Sequence, residues 1–356
     1  MNTSEINDIR SQSDFKGVTF SKYKKSDVRK ELLNCISKNK VEAACNWSCE
    51  LICSGHYIDL WEIILLALCK YIHLGNPKLP IYIEMRFNNF KEIVQNGYID
   101  NELSMRNNTK IRTLFAEIIG MLCYSNKKPS FEIIKINKKE EFNLQNLSSK
   151  FKAPNVKFGE KVFKRGDPKE LFISINELAY HLINRNLLQS CYWIEWMMEY
   201  DGICKKDKTP LHAERRSFAP VKESAQMDII WIVWELLLLN SPNAITTRIL
   251  NSLLGLFSIR FTNACKKKRR YILYFAVELI TEKVNPNIDM ITKENQIVVK
   301  GLVSKINNLY KGVKKNEEAP ATDYLFNGLK KEKSNLEKTI EKLDTMNNMN
   351  NFIPRA

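Results

Sequence analysis

The sequence predicts an all-α protein made of two helical lobes related by a degenerate duplication, with a basic connector and a C-terminal helix. Three observations carry this. Apolar residues recur at three- and four-residue intervals, as in Ile111, Leu114, Phe115, Ile118, Ile119 and Leu122. Breaker clusters such as Gly75-Asn76-Pro77 cut that pattern into pieces of helix length. One helical-hairpin motif is written twice, once in each half of the chain.

Residues 1–20 are polar and read as a flexible N-terminus. The N-terminal lobe spans 21–125. Ser26-Asp27 can cap a helix running to Lys38, and a second runs from Val41 to Ser54 with Gly55 at its C′ position. An apolar helix follows from Ile58 to His73, then Ile81–Gln95 behind Pro80, then Lys110–Tyr124 behind Asn108-Thr109. Residues 126–167 are rich in Lys, Asn, Pro and Gly, and the alternation over Phe131–Ile136 suggests a short hairpin inside a basic connector. The C-terminal lobe spans 168–312, with helices at Lys169–Asn184, Leu187–Tyr200, Ala225–Leu239, Ala244–Leu256, Ile259–Glu282 and Lys293–Lys311, and a polar loop over Asp201–Glu223. Residues 313–356 hold a charged helix (322–346) with a seam of Leu325, Leu329, Leu336, Ile340 and Leu343, then a polar tail.

The 356 residues carry 55 Lys+Arg against 40 Asp+Glu, a net charge of +15, with 44% hydrophobic residues. That composition can bury a core and excludes global disorder. The excess positive charge favours an acidic partner, nucleic acid or another polyanion. There is no apolar leader at the N-terminus and no apolar run long enough for a membrane span, so a non-secreted chain is expected. Nine cysteines set inside helical patterns read as reduced thiols.

The duplication is the most informative feature. In the first half Cys45-Asn46-Trp47 sits early in a helix, and a later helix carries Trp61-Glu62 and four aliphatic residues. In the second half Cys191-Tyr192-Trp193 is followed by Trp234-Glu235 and four leucines. The lead-ins Ser37-Lys38-Asn39-Lys40 and Asn184-Arg185-Asn186 also correspond. From Trp to Trp the second copy is 27 residues longer, 41 against 14. A hairpin that cannot bury its own apolar face gains by stacking on a copy of itself.

Candidates for chemistry are few. Cys45, Cys49 and Cys53 form one helical stripe, without the paired spacing of a zinc site, and read as packing residues. No phosphate-loop, dinucleotide-binding or nucleophile-elbow motif occurs, and none of His56, His73, His181 and His212 is singled out. Neither metal nor cofactor is expected. Glu50, Glu62, Glu195 and Glu235 lie in apolar stretches, where a carboxylate is costly unless paired. Arg86, Arg112, Arg215 and Arg216 are their candidate partners, so these glutamates read as internal ion pairs that fix the hairpins. The cationic runs remain: Lys266, Lys267, Lys268, Arg269 and Arg270 in one block, Lys205-Lys206, and Arg215-Arg216. These are the expected polyanion contacts.

The stretch from Ala44 to Phe87, and the segment CYWIEWMMEYD with the later Arg215-Arg216 and Asp228–Glu235, resemble uncharacterised proteins of nucleocytoplasmic large DNA viruses that infect algae and protists. The resemblance covers the repeat regions and not the tails. It implies a viral protein of the host cytoplasm, the viral factory or the virion, and it transfers no catalytic residue. The sequence thus points to a non-enzymatic binding or scaffold protein that engages nucleic acid. The alternative is a virion structural component acting through protein interfaces. A third reading is an enzyme with a carboxylate or Cys–His site that no motif announces.

Overall fold

The structure, a computed structural model, describes residues 4–99, 101–142, 147–285 and 288–318. Among them the regular elements are all helical, and the only β-type contacts are isolated bridges such as His73 with Lys128. No described helix is long and apolar enough to cross a membrane.

Lobe 1 contains α1 (Lys25–Ser37), α2 (Val41–Cys53), α3 (Tyr57–Leu66), α4 (Leu79–Gln95) and α5 (Thr109–Tyr124). Lobe 2 contains α6 (Phe172–Ile183), α7 (Leu187–Lys206), α8 (Ile230–Leu239), α9 (Ala244–Phe257) and α10 (Arg270–Thr281). The order and the packing correspond. α1 and α2 form the tightest pair of lobe 1 and α6 and α7 that of lobe 2, while α5 packs on α2 as α10 packs on α7. The lobes meet where α4 crosses α9, and one apolar core runs through both.

The duplication is visible in backbone detail. α1 ends with Asn39 at φ 59° and the Lys40 N–H donating to Cys35 O at 2.9 Å. α6 ends with Arg185 at φ 54° and the Asn186 N–H donating to His181 O at 2.8 Å. Both are the same left-handed helix stop, which turns the chain sharply enough to lay the second helix back on the first. Cys45 and Cys191 are the fifth residues of α2 and α7, and Trp47 and Trp193 the seventh. α3 and α8 are apolar on nearly all sides and each has ten residues, so both are forced inside. The extra 27 residues divide in two. α7 has 20 residues against 13 in α2, and the link to the next helix is 207–229 rather than 54–56.

Several boundaries differ from the sequence reading. The first helix starts at Lys25, ahead of Ser26-Asp27. The helix expected over Ile58–His73 is α-helical to Leu66 and then widens into a π-helix, Ala67–Ile72. His73 stops it at φ 51°, stacked 4.6 Å from the ring of Phe275 in α10 and with Nδ1 3.1 Å from the Glu278 carboxylate. The span Ile259–Glu282 is not one helix. Arg260 at φ 42° opens a loop, one turn forms at Cys265–Lys268, and α10 begins at Arg270. In 126–142 and 147–167 no hairpin forms. The connector instead runs beside the π-helix, with Lys128 N–H and Ser130 N–H donating to Ile72 O and Lys70 O, and Phe131, Ile134 and Ile136 turned onto the core.

Residues 4–20 are not loose. Ile6, Phe15 and Phe20 are buried, and Arg10 lies over both phenyl rings at 4.9 and 4.7 Å. The expected C-terminal helix Lys293–Lys311 is two, α11 (Lys293–Ser304) and α12 (Ile306–Lys314), and both pack on lobe 1 rather than lobe 2. The reason is local fit. A Cβ at Gly120 of α5 would stand 2.9 Å from the Val299 side chain of α11, so only glycine lets them approach. Tyr310 of α12 is fully buried, with the Arg112 guanidinium 4.0 Å from its ring centre. The charged helix expected over 322–346, with the tail after it, lies outside the described residues.

Candidate functional site

The block Lys266–Arg270 is drawn largely into the protein. Lys266 is 3% exposed and donates to Asp201 at 2.7 Å and to Asp228 at 2.8 Å. Burial alone would lower its pKa, but Asp228 and Asp201 outweigh it and hold the ammonium above its ordinary value. Lys267 is half-buried, 2.6 Å from Glu199. Arg269 is buried, donating to Phe257 O at 2.7 Å and pairing with Glu62 of the other lobe. Arg270 is 3.2 Å from the buried Glu195. Lys268 is exposed. An exposed strip of five cations is therefore not what the fold presents. Carboxylates far away in sequence take up four of them.

Arg215 and Arg216 separate in the same way. Arg216 is completely buried, forming a two-pronged ion pair with Asp167 whose Nη2–Oδ2 distance is 2.7 Å and holding Glu235 through Nε at 2.9 Å. It also donates to Val162 O at 2.8 Å. Arg215 is half-exposed, pairing with Glu223 at 2.8 Å. Lys205 sits on Asp201 beside Lys266, while Lys206 is exposed.

The glutamates singled out from the sequence all have partners. Glu62 pairs with Arg269 and Glu235 with Arg216, so the repeated Trp-Glu receives one arginine in each copy. Glu195 accepts from the Tyr274 hydroxyl at 2.8 Å and faces Arg270, and burial still pushes its carboxyl above the ordinary range. Glu50 accepts from the backbone N–H and the hydroxyl of Ser21, and no arginine among the described residues pairs with it. All nine cysteines are buried and unbridged, and burial pushes the Cys49 thiol up to about 12. Five of the six tryptophans are buried; Trp47 is half-buried, edge-on to Tyr23.

Two surfaces bring together the residues singled out above. The first surrounds the C-terminal end of α7. Glu199 is held from both sides, by Lys138 at 2.8 Å and by Lys267 at 2.6 Å, and Asp201 is shared by Lys205 and Lys266. Three basic runs that are distant in sequence therefore meet there, and Lys139, Lys206, Lys208 and Lys268 stay exposed. The second is a cleft of about 650 Å³ between the lobes. α3 and α4 form one wall, and the end of α9 with Phe218 and Pro220 of the long loop forms the other. Trp61 and Glu62 of the first repeat line it. Sequence reasoning missed the residues of α4 that complete it, Glu84, Phe87 and Lys91. Their spacing marks one helix face, but nothing local says that the face meets a second lobe.

No protein-family model, no curated protein and no solved structure matches the chain.

Proposed function

We propose that the protein is a non-enzymatic helical binding module that engages nucleic acid through the lysine surface around the end of α7. The observation that supports this is the convergence of Lys138-Lys139, Lys205–Lys208 and Lys266–Lys268 on the shared carboxylates Glu199 and Asp201. The inner lysines neutralise those carboxylates, and the outer ones, Lys139, Lys206, Lys208 and Lys268, face solvent. Lysine is a mobile point charge suited to phosphate contact rather than to the bidentate reading of base edges. Binding without strong sequence preference follows. The setting implied by the sequence resemblance is a viral factory or a virion, where such a module would hold genome or transcript.

The test is an affinity titration of duplex and single-stranded DNA over a range of salt. Each neutralised phosphate contributes about −0.9 to the slope of log K against log salt for duplex DNA, so four lysines predict roughly −3 to −4. Replacing Lys139, Lys206, Lys208 and Lys268 together with glutamate should abolish binding and leave the melting transition in place. Absence of binding by the wild type at low salt rejects the proposal.

A further inference from the structure

The cleft between the lobes has charged groups of two kinds. Arg269 is committed to Glu62, and Arg260 is 3.3 Å from Glu102. Glu84 of α4 has no hydrogen-bond or ion-pair partner among the described residues. Its carboxylate lies in the space that a Cβ at Gly255 of α9 would fill. Glycine at that crossing thus lets an unpaired carboxylate sit where the two lobes touch. The cleft is walled by Trp61, Phe87 and Phe218. The indole N–H of Trp61 is buried and has no acceptor among the described residues.

We propose that this cleft is a binding site for a small organic cation with a flat apolar body. The ammonium meets Glu84 and the body lies along Trp61, Phe87 and Phe218. The volume of about 650 Å³ falls within the roughly 300–1,000 Å³ of small-molecule sites. The sign of the ligand follows from the pairing. Arg269 and Arg260 are held by Glu62 and Glu102, and the Lys91 ammonium rests 5.3 Å from the centre of the Phe87 ring, whereas Glu84 has no cation beside it among the described residues, and a cationic ligand gives it one. The aromatic wall already attracts one cation, Lys91 over Phe87, as ring faces do. Orientation follows from Lys91, which lines the same cleft, lies two turns along α4 from Glu84 and is exposed. It repels the charged end, so the cation goes to Glu84 and the apolar end points outward.

This site is independent of the lysine surface, and its test does not involve nucleic acid. The full chain is titrated calorimetrically with 2-phenylethylamine, and separately with 2-phenylethanol and phenylacetate. These probes share a ring and differ in charge. The amine is expected to bind saturably, with the alcohol and the acid at least about tenfold weaker. Glu84→Gln should weaken the amine by about tenfold and leave the alcohol unchanged. The variant keeps its melting transition, because Glu84 supports no other group. Gly255→Ala, which puts a methyl in the place of the carboxylate, should also weaken the amine. Lack of saturable amine binding, equal affinity for the three probes, or unchanged amine affinity in Glu84→Gln overturns the proposal.

Discussion

Trp61 and Trp234 hold the fifth position of two ten-residue helices, and each is followed by a glutamate that takes an arginine. Their surroundings differ. Behind Trp234 the segment 207–229 folds back and buries Arg216 between Glu235 and Asp167, so that end of lobe 2 is sealed. Behind Trp61 only residues 54–56 link α2 to α3, and the space in front of the helix stays open as the cleft. The arginine that reaches Glu62 is borrowed from lobe 2. One insertion in one copy therefore does two things. Its Arg216 plugs its own repeat, and its Phe218 and Pro220 wall the cleft of the other. The duplicated helices supply the scaffold, and the departure from duplication supplies the site.

The sharpest way to break this comparison is to remove both arginines in turn. Arg216→Ala leaves Asp167, fully buried, without a cation, a loss that typically costs about 3–5 kcal/mol. Arg269→Ala also strands the carbonyls of Phe257 and Ile259, but its Glu62 faces the open cleft and can be hydrated. A cost of roughly 1–3 kcal/mol is expected there. Denaturant unfolding of the two variants measures the difference. Equal losses would mean that the cleft is as closed to water as the plug.

A second contrast lies inside the basic block. Lys266→Gln removes the ammonium between Asp201 and Asp228 but leaves Lys205 on Asp201, so a loss of about 1–3 kcal/mol is expected. Lys268→Gln, two residues on, should change stability by less than about 0.5 kcal/mol. The same pair should divide oppositely in DNA titrations, where the exposed Lys268 carries the effect. Similar stability losses for both would dissolve the division into internal and outward lysines.

What was legible in the sequence follows from the range of the interactions involved. The helix class and the paired hairpins rest on local periodicity, and the left-handed stops at Asn39 and Arg185 sit in the lead-ins that the repeat had already aligned. The pairing of Glu235 with Arg216 was within reach because both belong to one loop and helix. The basic block was misread as surface because its partners are remote. Asp201 lies 65 residues before Lys266, and Glu62 lies 207 before Arg269. Charge that is solvated and charge that is buried look the same in a linear pattern. The docking of α11 on lobe 1 and the order of residues 4–20 were hidden for a related reason. Ile6 and Phe20 are single apolar anchors without periodicity, and the stripe of Val299, Leu302 and Val303 does not say which lobe it covers, so only the assembled core gives them a place.

The smallest effect expected concerns protons, and it too compares the lobes. His56 stands at the start of α3 with Nε2 2.8 Å from Val18 O, and His181 lies in α6 with Nε2 3.5 Å from Glu177. Burial pushes both imidazoles below the ordinary value of 6.5, against the opposing pull of the Val18 carbonyl on one and of Glu177 on the other. An imidazole that resists protonation in the folded chain makes the unfolded chain bind the proton first. The stability it contributes is present above 6.5 and is lost as pH falls through the lowered folded value. Glu195 works in the opposite direction. Burial raises its carboxyl, so the folded chain takes up that proton first and regains stability as pH falls through the raised value. Unfolding midpoints measured between about pH 7 and 5 should therefore fall less steeply in His56→Gln and His181→Gln than in the wild type, and more steeply in Glu195→Gln. Parallel slopes for the wild type and both histidine variants would mean that the imidazoles titrate as they do in water, and that neither the entry to α3 nor the core of α6 is as dry as the packing implies.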